Sequence, residues 1–377
     1  VLWPQIKLSV IVPSRNEFPD VAYTCYSIIH ALEAEGYDWR DYEIIIVDNA
    51  SDDTIFEKPG TGGTTTYMMG RGMFGHRVLR VVHYPIAGNH AARNKGAEVA
   101  RGEYIFFVDA HVAFKPGFFT NLMKAVDESG GIVHGAKQDL GAYPPFERSM
   151  GYGYSLKLGE EIRGNWNNYK VADSWFYVPA QGHWGLCVKK KQFLNFGGYP
   201  KIHRTYGGGE FYLNMKWWMF GSLVATEPHA IGYHLAAARN YGYDQMDYVH
   251  NVLNISYALG MDDWRERAYI NYLRTKNPER LKFIMEEGER EMAEDRAFIE
   301  KRRKYTFNEV LAEQPWDKKN MERHGNSYGA ITIYHDSWLE LLEQSPLAKK
   351  AYEESKYQKG LEEFINSKMS EFVYLRR

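Results

Sequence analysis

Three short hydrophobic runs in the first third of the chain end in the same way. Residues 8–12 run into Pro13-Ser14-Arg15-Asn16-Glu17, residues 44–47 into Asp48-Asn49-Ala50-Ser51-Asp52-Asp53, and residues 104–108 into Asp109-Ala110-His111. Unbroken apolar runs bounded by polar clusters read as strands buried on both faces. Polar chemistry straight after each one describes an open parallel sheet with its ligand outside the carboxyl ends of the strands. The spacing also predicts a helix over 21–35, carrying Ile28, Ile29 and Leu32 with Gly36 as its stop, a strand over 78–84, and a helix over 89–100. That alternation of strand and helix is the signature of an α/β domain. Residues 57–76, rich in Gly and Thr, read as a long loop. The loop holds Gly70-Arg71-Gly72-Met73-Phe74-Gly75, a formal match to a dinucleotide fingerprint, but no strand leads into it and no helix follows, so it carries no weight. From 130 to 205 the pattern turns irregular and aromatic, with Tyr152, Tyr154, Trp166, Trp175, Phe176, Tyr177 and Trp184 serving as core or as stacking surfaces for a sugar or base. Beyond Asp262 the chain reads as charged helices.

Composition narrows the class. A chain of 377 residues with 44% hydrophobic content buries a substantial core in one large or two unequal domains. Its formal charge of −2 exerts no global pull on nucleic acid, which leaves only local basic runs at 189–191 and 301–304 as candidates for that role. Two cysteines, Cys25 and Cys187, exclude a disulfide framework and a thiolate metal site, and favour a reducing compartment. No apolar run approaches the roughly 18–20 residues of a membrane span, and the start shows no secretory signal. The expected location is cytoplasmic, in a bacterium or in the host cytoplasm of a phage.

Candidate chemistry begins at Asp109 and His111. Two residues apart on a strand, they share a face and form half of a divalent-metal site. With the sequences around it, this strand end resembles the nucleotide-sugar half of the GT-A glycosyltransferases, family 2-like in character. LSVIVPSRNE is similar to their opening strand. IIIVDNASDD is similar to their second, with Asp48 where the nucleotide base is read. GNHAARNKGAEVARGEYIFFVDAH resembles their helix-plus-metal-strand unit, in which most members carry Asp-x-Asp where this chain has Asp-Ala-His. The Asp-x-His form resembles a narrower group, the catalytic domain of the polypeptide N-acetylgalactosaminyltransferases. Gly197-Gly198-Tyr199-Pro200, Tyr206-Gly207-Gly208-Gly209-Glu210, Ile231-Gly232-Tyr233-His234 and Met261-Asp262-Asp263-Trp264 extend the likeness over roughly 7–270.

The resemblance implies an α/β, Rossmann-like GT-A fold: a mostly parallel sheet flanked by helices, with a helical extension. It implies a nucleotide-sugar and catalytic domain over 1–260 and an acceptor-binding extension over 261–377. The activity implied is metal-dependent transfer of a sugar from a UDP-sugar to an acceptor hydroxyl. Asp109, His111 and His234 would hold Mn²⁺ or Mg²⁺, with His229 competing for the third place. Nitrogen donors suit Mn²⁺ better than Ca²⁺. Pro13, Ser14, Arg15 and Glu17 would frame base and ribose, with Asp48 accepting from a uracil N–H. Arg93, at a helix N-terminus, would engage a phosphate, and Arg239 would cover the diphosphate. Glu210, freed by three glycines to approach a ligand closely, joins Asp109 as a candidate catalytic residue, although a carboxylate there also suits a helix N-terminus. Trp184 would face the acceptor or belong to the core.

Two departures shape the expectation. The lectin domain and membrane anchor of the animal enzymes find no counterpart, so a peptide acceptor does not carry over; glycan, protein and a hydroxymethylated DNA base are the acceptor classes considered. Inverting relatives place a second carboxylate directly after the glutamate, where this chain has Phe211, so retention is expected. The rival readings are an inactive GT-A module that binds nucleotide-sugar or glycan, and a nucleotidyltransferase.

Overall fold

The computed structural model describes residues 6–52, 78–140, 147–158, 162–201, 204–235, 242–273, 275–328 and 332–333. Arg239 and the glycine-rich stretch 70–75 lie outside the described residues.

The three runs form β1 (Leu8–Ser14), β2 (Tyr42–Asn49) and β4 (Tyr104–Val108), with β3 (Leu79–Tyr84) as the edge strand. Their near-continuous burial follows from helices covering both faces. These are α1 (Asp20–Ala34), α2 (Asn89–Val99) and α3 (Phe118–Ser129). Helix α1 ends where the sequence places its stop: Gly36 takes a left-handed φ of 86° and the Tyr37 amide donates back to the Leu32 carbonyl.

β5 (Val112–Phe114) follows β4 after a tight turn, then β6 (Ile132–Leu140), β7 (Glu147–Gly151), β8 (Tyr154–Leu158), β9 (Ile162–Trp166), β10 (Phe176–Tyr177), β11 (Gly185–Lys189) and β12 (Val224–Leu235). Among the described residues the main sheet has ten strands. Its path is β10-β12-β6-β11-β4-β1-β2-β3, with β5 also on β12 and β7 on β6. Strands β3, β2, β1 and β4 run parallel, as do β6 and β12, while β11 runs antiparallel between the two sets. β8 pairs with both β9 and β13 (Thr332–Ile333) in a separate small sheet.

The remaining helices are α4 (Lys190–Asn195), α5 (Gly209–Met219), α6 (Gln245–Ala258), α7 (Asp262–Leu273), α8 (Pro278–Glu291), α9 (Ala293–Arg302), α10 (Phe307–Glu313) and α11 (Pro315–His324). A second apolar cluster joins α6, α7 and α8 through residues such as Val249, Leu253, Tyr269 and Leu281, so that packing unit begins before residue 261. The later helices return to the main core. Trp316 meets Trp218 at 5.7 Å between ring centroids, and Asn320 hydrogen-bonds both the amide and the carbonyl of Tyr177. Among the described residues no helix is long and apolar enough to cross a membrane.

Candidate metal and nucleotide-sugar site

The strand carrying Asp109 stops at Val108, so Asp109 and His111 converge through the turn into β5, and the alternation of a strand is not what aligns them. Two devices fix that turn. The Asp109 amide donates to the Trp184 carbonyl (3.1 Å), and Val112 exchanges two hydrogen bonds with the Thr24 hydroxyl of α1 (2.9 and 3.0 Å). β5 then pairs antiparallel with β12, setting Val112 opposite His234, and the Leu235 amide donates to the His111 carbonyl. The pairing puts the two imidazoles edge to face, 4.9 Å between centroids. One ligand atom each from Asp109, His111 and His234 then lies within 4.8 Å of the others.

His229 is excluded from this group by a break in register. β12 departs from its pairing with β6 between Glu227 and Ile231, and His229, in that irregularity, pairs with Glu227 at 3.1 Å with its side chain 60% exposed.

Arg93 lies directly behind Asp109. Its side chain is 2% exposed, and Nη2 donates to Asp109 Oδ1 (2.7 Å) and to the His183 carbonyl (3.3 Å). Where the sequence suggested a phosphate contact, the guanidinium instead supports the carboxylate. Burial alone would raise the Asp109 pKa; the His234 hydrogen bond, with the charges of Arg93 and the two histidines, outweighs it and holds the carboxyl far below its usual range.

Asp48 and Ser14 are register partners at the carboxyl ends of β2 and β1. The Asp48 carboxylate is buried and engaged by His83 Nδ1 (2.9 Å) and the Ser51 amide (3.3 Å), which leaves half-exposed His83 as the outer member of that pair. Arg15 and Asn16 follow Ser14, and Asn16, at a left-handed φ of 56°, ties this loop to the next through Ser51 and Asp52. Glu17, expected to help frame base and ribose, lies with its Oε2 3.3 Å from His111 Nδ1.

Glu210 occupies the first turn of α5, after Gly207 and Gly208 at φ 106° and 76°. Helix entry there requires those left-handed residues. Gly209 meets a different constraint, since a Cβ would stand 2.1 Å from His90 Nε2. The result is a 28% exposed carboxylate 4.0 Å from buried His90, at the positive end of a helix. Phe211 turns away and packs on Phe307 at 6.0 Å between centroids.

Beneath these groups lies a buried polar layer that the sequence did not disclose. Asn214 accepts from His134 (3.0 Å) and donates to the Gln181 and Glu210 carbonyls (3.0 and 2.6 Å), while His183 Nδ1 meets the Tyr199 hydroxyl at 2.7 Å. His134 and His183 stack at 5.7 Å. Burial pushes His134 down to about 4 and His183 well below its ordinary value, so both are neutral. Asp139 is the other unforeseen residue. It sits opposite His234 in the β6–β12 register and ion-pairs with Lys137 at 2.8 Å. Burial raises its pKa, but His234 and Lys137 together bring it down to about 2. Only the register reveals it, because nothing local marks Lys137-Gln138-Asp139 as part of a site.

Trp184 is 3% exposed and packs on Gly232, which places it in the core. Of the run 189–191, Lys189 is neutralised by Glu103 and Asp127 and lies over the Tyr104 ring, and Lys190 donates to the Ala100 carbonyl.

Residues 9–58 and 71–177 match the family described as glycosyl transferase family 2. N-acetylgalactosaminyltransferase 6 of Drosophila melanogaster is 25% identical over 279 residues, which cover 70% of this chain and 39% of that protein. The uncharacterized glycosyltransferase YibD of Escherichia coli K12 is 34% identical over 117 residues, 31% of this chain and 29% of its own. The chain thus spans well under two thirds of the curated relatives it matches. Among solved structures, GalNAc-T7 with UDP, GalNAc and Mn²⁺ aligns at a TM-score of 0.61 and 14% identity, covering 85% of this chain and 59% of that one. The chain therefore has a GT-A glycosyltransferase fold, matches the glycosyl transferase family 2 model over 9–58 and 71–177, and resembles the catalytic domain of the polypeptide N-acetylgalactosaminyltransferases.

Proposed function

We propose that the protein transfers a sugar from a UDP-sugar to an acceptor hydroxyl, with Asp109, His111 and His234 holding a divalent cation. The observation that carries this reading is the convergence of one carboxylate and two imidazoles within 4.8 Å beyond the carboxyl end of β4. One hard oxygen and two imidazole nitrogens fit Mn²⁺ before Ca²⁺. When bound, such a cation supplies Lewis-acid stabilisation of the charge a departing diphosphate gains. The mostly buried guanidinium of Arg93 keeps Asp109 ionised and occupies Oδ1, leaving Oδ2 toward the histidines. Pro13, Ser14, Arg15 and Asp48 supply the strand-end ledge for the nucleoside, His83 standing outside Asp48. Glu210 faces the sugar or acceptor hydroxyl from the start of α5.

Retention fits this arrangement. Direct displacement with inversion needs a base beside the acceptor, and the residue after Glu210 is turned into the core against Phe307. Deprotonation by the leaving diphosphate on the same face needs no second carboxylate. A UDP-α-sugar then gives an α-linked product.

The test is product analysis with labelled UDP-sugars, Mn²⁺ and three acceptor classes: glycan, protein and hydroxymethylated DNA. Acceptor-stimulated release of UDP supports the reading, and proton coupling at the new anomeric carbon reports the stereochemistry. Release of pyrophosphate, or no release of UDP with any donor, overturns it.

A further inference from the structure

Each imidazole of the Asp109, His111 and His234 group has a carboxylate on its Nδ1 side. Glu17 Oε2 stands 3.3 Å from His111 Nδ1, with the two side chains 11% and 9% exposed. Asp139 Oδ1 stands 3.5 Å from His234 Nδ1, while His234 Nε2 points the other way, 3.5 Å from Asp109 Oδ2. The Asp139–His234 separation is at the outer limit of a hydrogen bond. Yet His234 Nδ1 and Asp139 Oδ1 are both buried; among the described residues Nδ1 has no nearer acceptor, and Oδ1 also takes the Lys137 ammonium at 2.8 Å. A buried imidazole N–H that faces a carboxylate oxygen with no nearer acceptor is satisfied by pairing with it.

The two carboxylates arrive by separate routes. Glu17 comes from the β1–α1 turn, where its carbonyl receives the Val21 amide at 2.8 Å. Asp139 comes from β6, in direct register with His234 across the parallel β6–β12 pair. Asp139 is itself held. Lys137, two residues earlier on the same face, contacts it at 2.8 Å with its side chain 8% exposed, and the Lys137 ammonium lies 4.0 Å from the Trp166 ring centroid. Two unrelated segments thus deliver the same group to the same edge of two adjacent imidazoles.

The chemistry of a metal-bound imidazole gives that repetition a meaning. A neutral imidazole carries one N–H and one lone pair, and whichever nitrogen donates leaves the other to ligate. A carboxylate accepting from Nδ1–H selects the tautomer with its lone pair on Nε2, fixes the ring plane and makes Nε2 more basic. We propose that Glu17 and Asp139 are positioning residues for the cation site, holding His111 and His234 as Nδ1–H tautomers so that both Nε2 atoms face the Asp109 carboxylate. The inference rests on the metal reading above and adds two residues to it. Neither carboxylate touches the reacting sugar. Their action is on cation affinity, through the histidines.

The experiment is Mn²⁺ titration of chelator-treated protein by calorimetry, with free Mn²⁺ counted independently by electron paramagnetic resonance. Wild type is compared with Glu17→Ala and Asp139→Ala, and with Glu227→Gln, whose partner His229 lies in the β12 irregularity. Each alanine variant weakens Mn²⁺ binding by about 10–100-fold, while Glu227→Gln binds as wild type does. Wild-type affinity in both alanine variants overturns the positioning role and leaves the metal reading standing. No Mn²⁺ binding by the wild type overturns both. If an alanine variant fails to fold, the wild type itself decides. Long-range proton–nitrogen correlation spectra of ¹⁵N-histidine protein with diamagnetic Mg²⁺ show Nδ1-protonated rings for His111 and His234, and Nε2-protonated rings refute the proposal.

Discussion

Replacing Asp109 separates two jobs that one carboxylate performs. Arg93 is 2% exposed and its Nη2 reaches Asp109 at 2.7 Å; its Nε and Nη1 are buried without a partner among the described residues. Asp109→Ala leaves that guanidinium with only the His183 carbonyl, 3.3 Å away. Breaking a buried ion pair from one side costs about 3–5 kcal/mol, because the remaining charge stays desolvated. Asp109→Asn keeps an oxygen in front of Nη2 and loses only the charge, at a cost of about 1–3 kcal/mol. Both variants lower transfer at least about a hundredfold, the size of losing a key transition-state contact. Stability orders the set differently. Melted in chelator, wild type is highest, Asp109→Asn next and Asp109→Ala lowest, and adding Arg93→Met to Asp109→Ala raises the midpoint again, since removing both members of a buried pair is close to neutral. Thermal denaturation followed by circular dichroism reads the order. An Asp109→Ala protein that melts with the wild type, or a double variant that melts below it, refutes the claim that Arg93 depends on Asp109.

Glu210→Gln keeps shape and loses charge, so UDP affinity measured by calorimetry stays near wild type while transfer falls; strongly weakened UDP binding with normal turnover assigns the residue elsewhere. Gly209→Ala drives a methyl to 2.1 Å from His90 Nε2, costing about 1–3 kcal/mol and lowering transfer with Mn²⁺ affinity unchanged, as a melt, an assay and a metal titration together show. His134 has a folded pKa of about 4 against an ordinary 6.5, so the unfolded chain binds more protons in that window. The stability it contributes is complete above pH 6.5 and falls by about 3 kcal/mol as pH drops toward 4, a slope that His134→Gln shallows in pH-dependent denaturation. Glu43 is 1% exposed; the bonds from Arg101 and Ser9 outweigh its burial and depress its pKa below 4.5, so its contribution is present above that pH and is lost in stronger acid, and Glu43→Gln melts lower at neutral pH with a smaller acid-induced decline.

The sequence discloses what is local. β1, β2 and β4 are legible because burial on both faces demands continuous apolar runs, and Asp48 and Asp109 are legible because each stands where such a run stops. His234 is reachable only through resemblance. What separates it from His229, the opening of the β6–β12 register between Glu227 and Ile231, is a property of strand pairing and leaves no local mark. The same holds for Asp139, two residues from Lys137 on a strand whose partner lies about ninety positions on. The buried layer of His134, His183, Asn214 and Tyr199 draws on four segments, and each residue alone reads as an ordinary polar position. Glu17 was legible as a site residue and illegible as to role: the strand-end rule brings it to the ligand face, and only the course of the turn into α1 decides that it meets His111.

Every first contact among Asp109, His111 and His234 depends on β5 docking onto β12, and β5 is three residues long. So short a strand is marginal alone. It is secured at both ends from α1, by Thr24 on Val112 and by Ser27 accepting from the Phe114 amide at 2.8 Å. α1 therefore clamps the group of Asp109, His111 and His234 through Thr24 and Ser27. The same helix begins just after Glu17, so one element fixes the position of β5 and one of the two carboxylates behind the histidines. A disturbance of α1 thus acts on the imidazole geometry from two directions, while the β1–β2 ledge beside Asp48 keeps its own supports in Ser51 and His83.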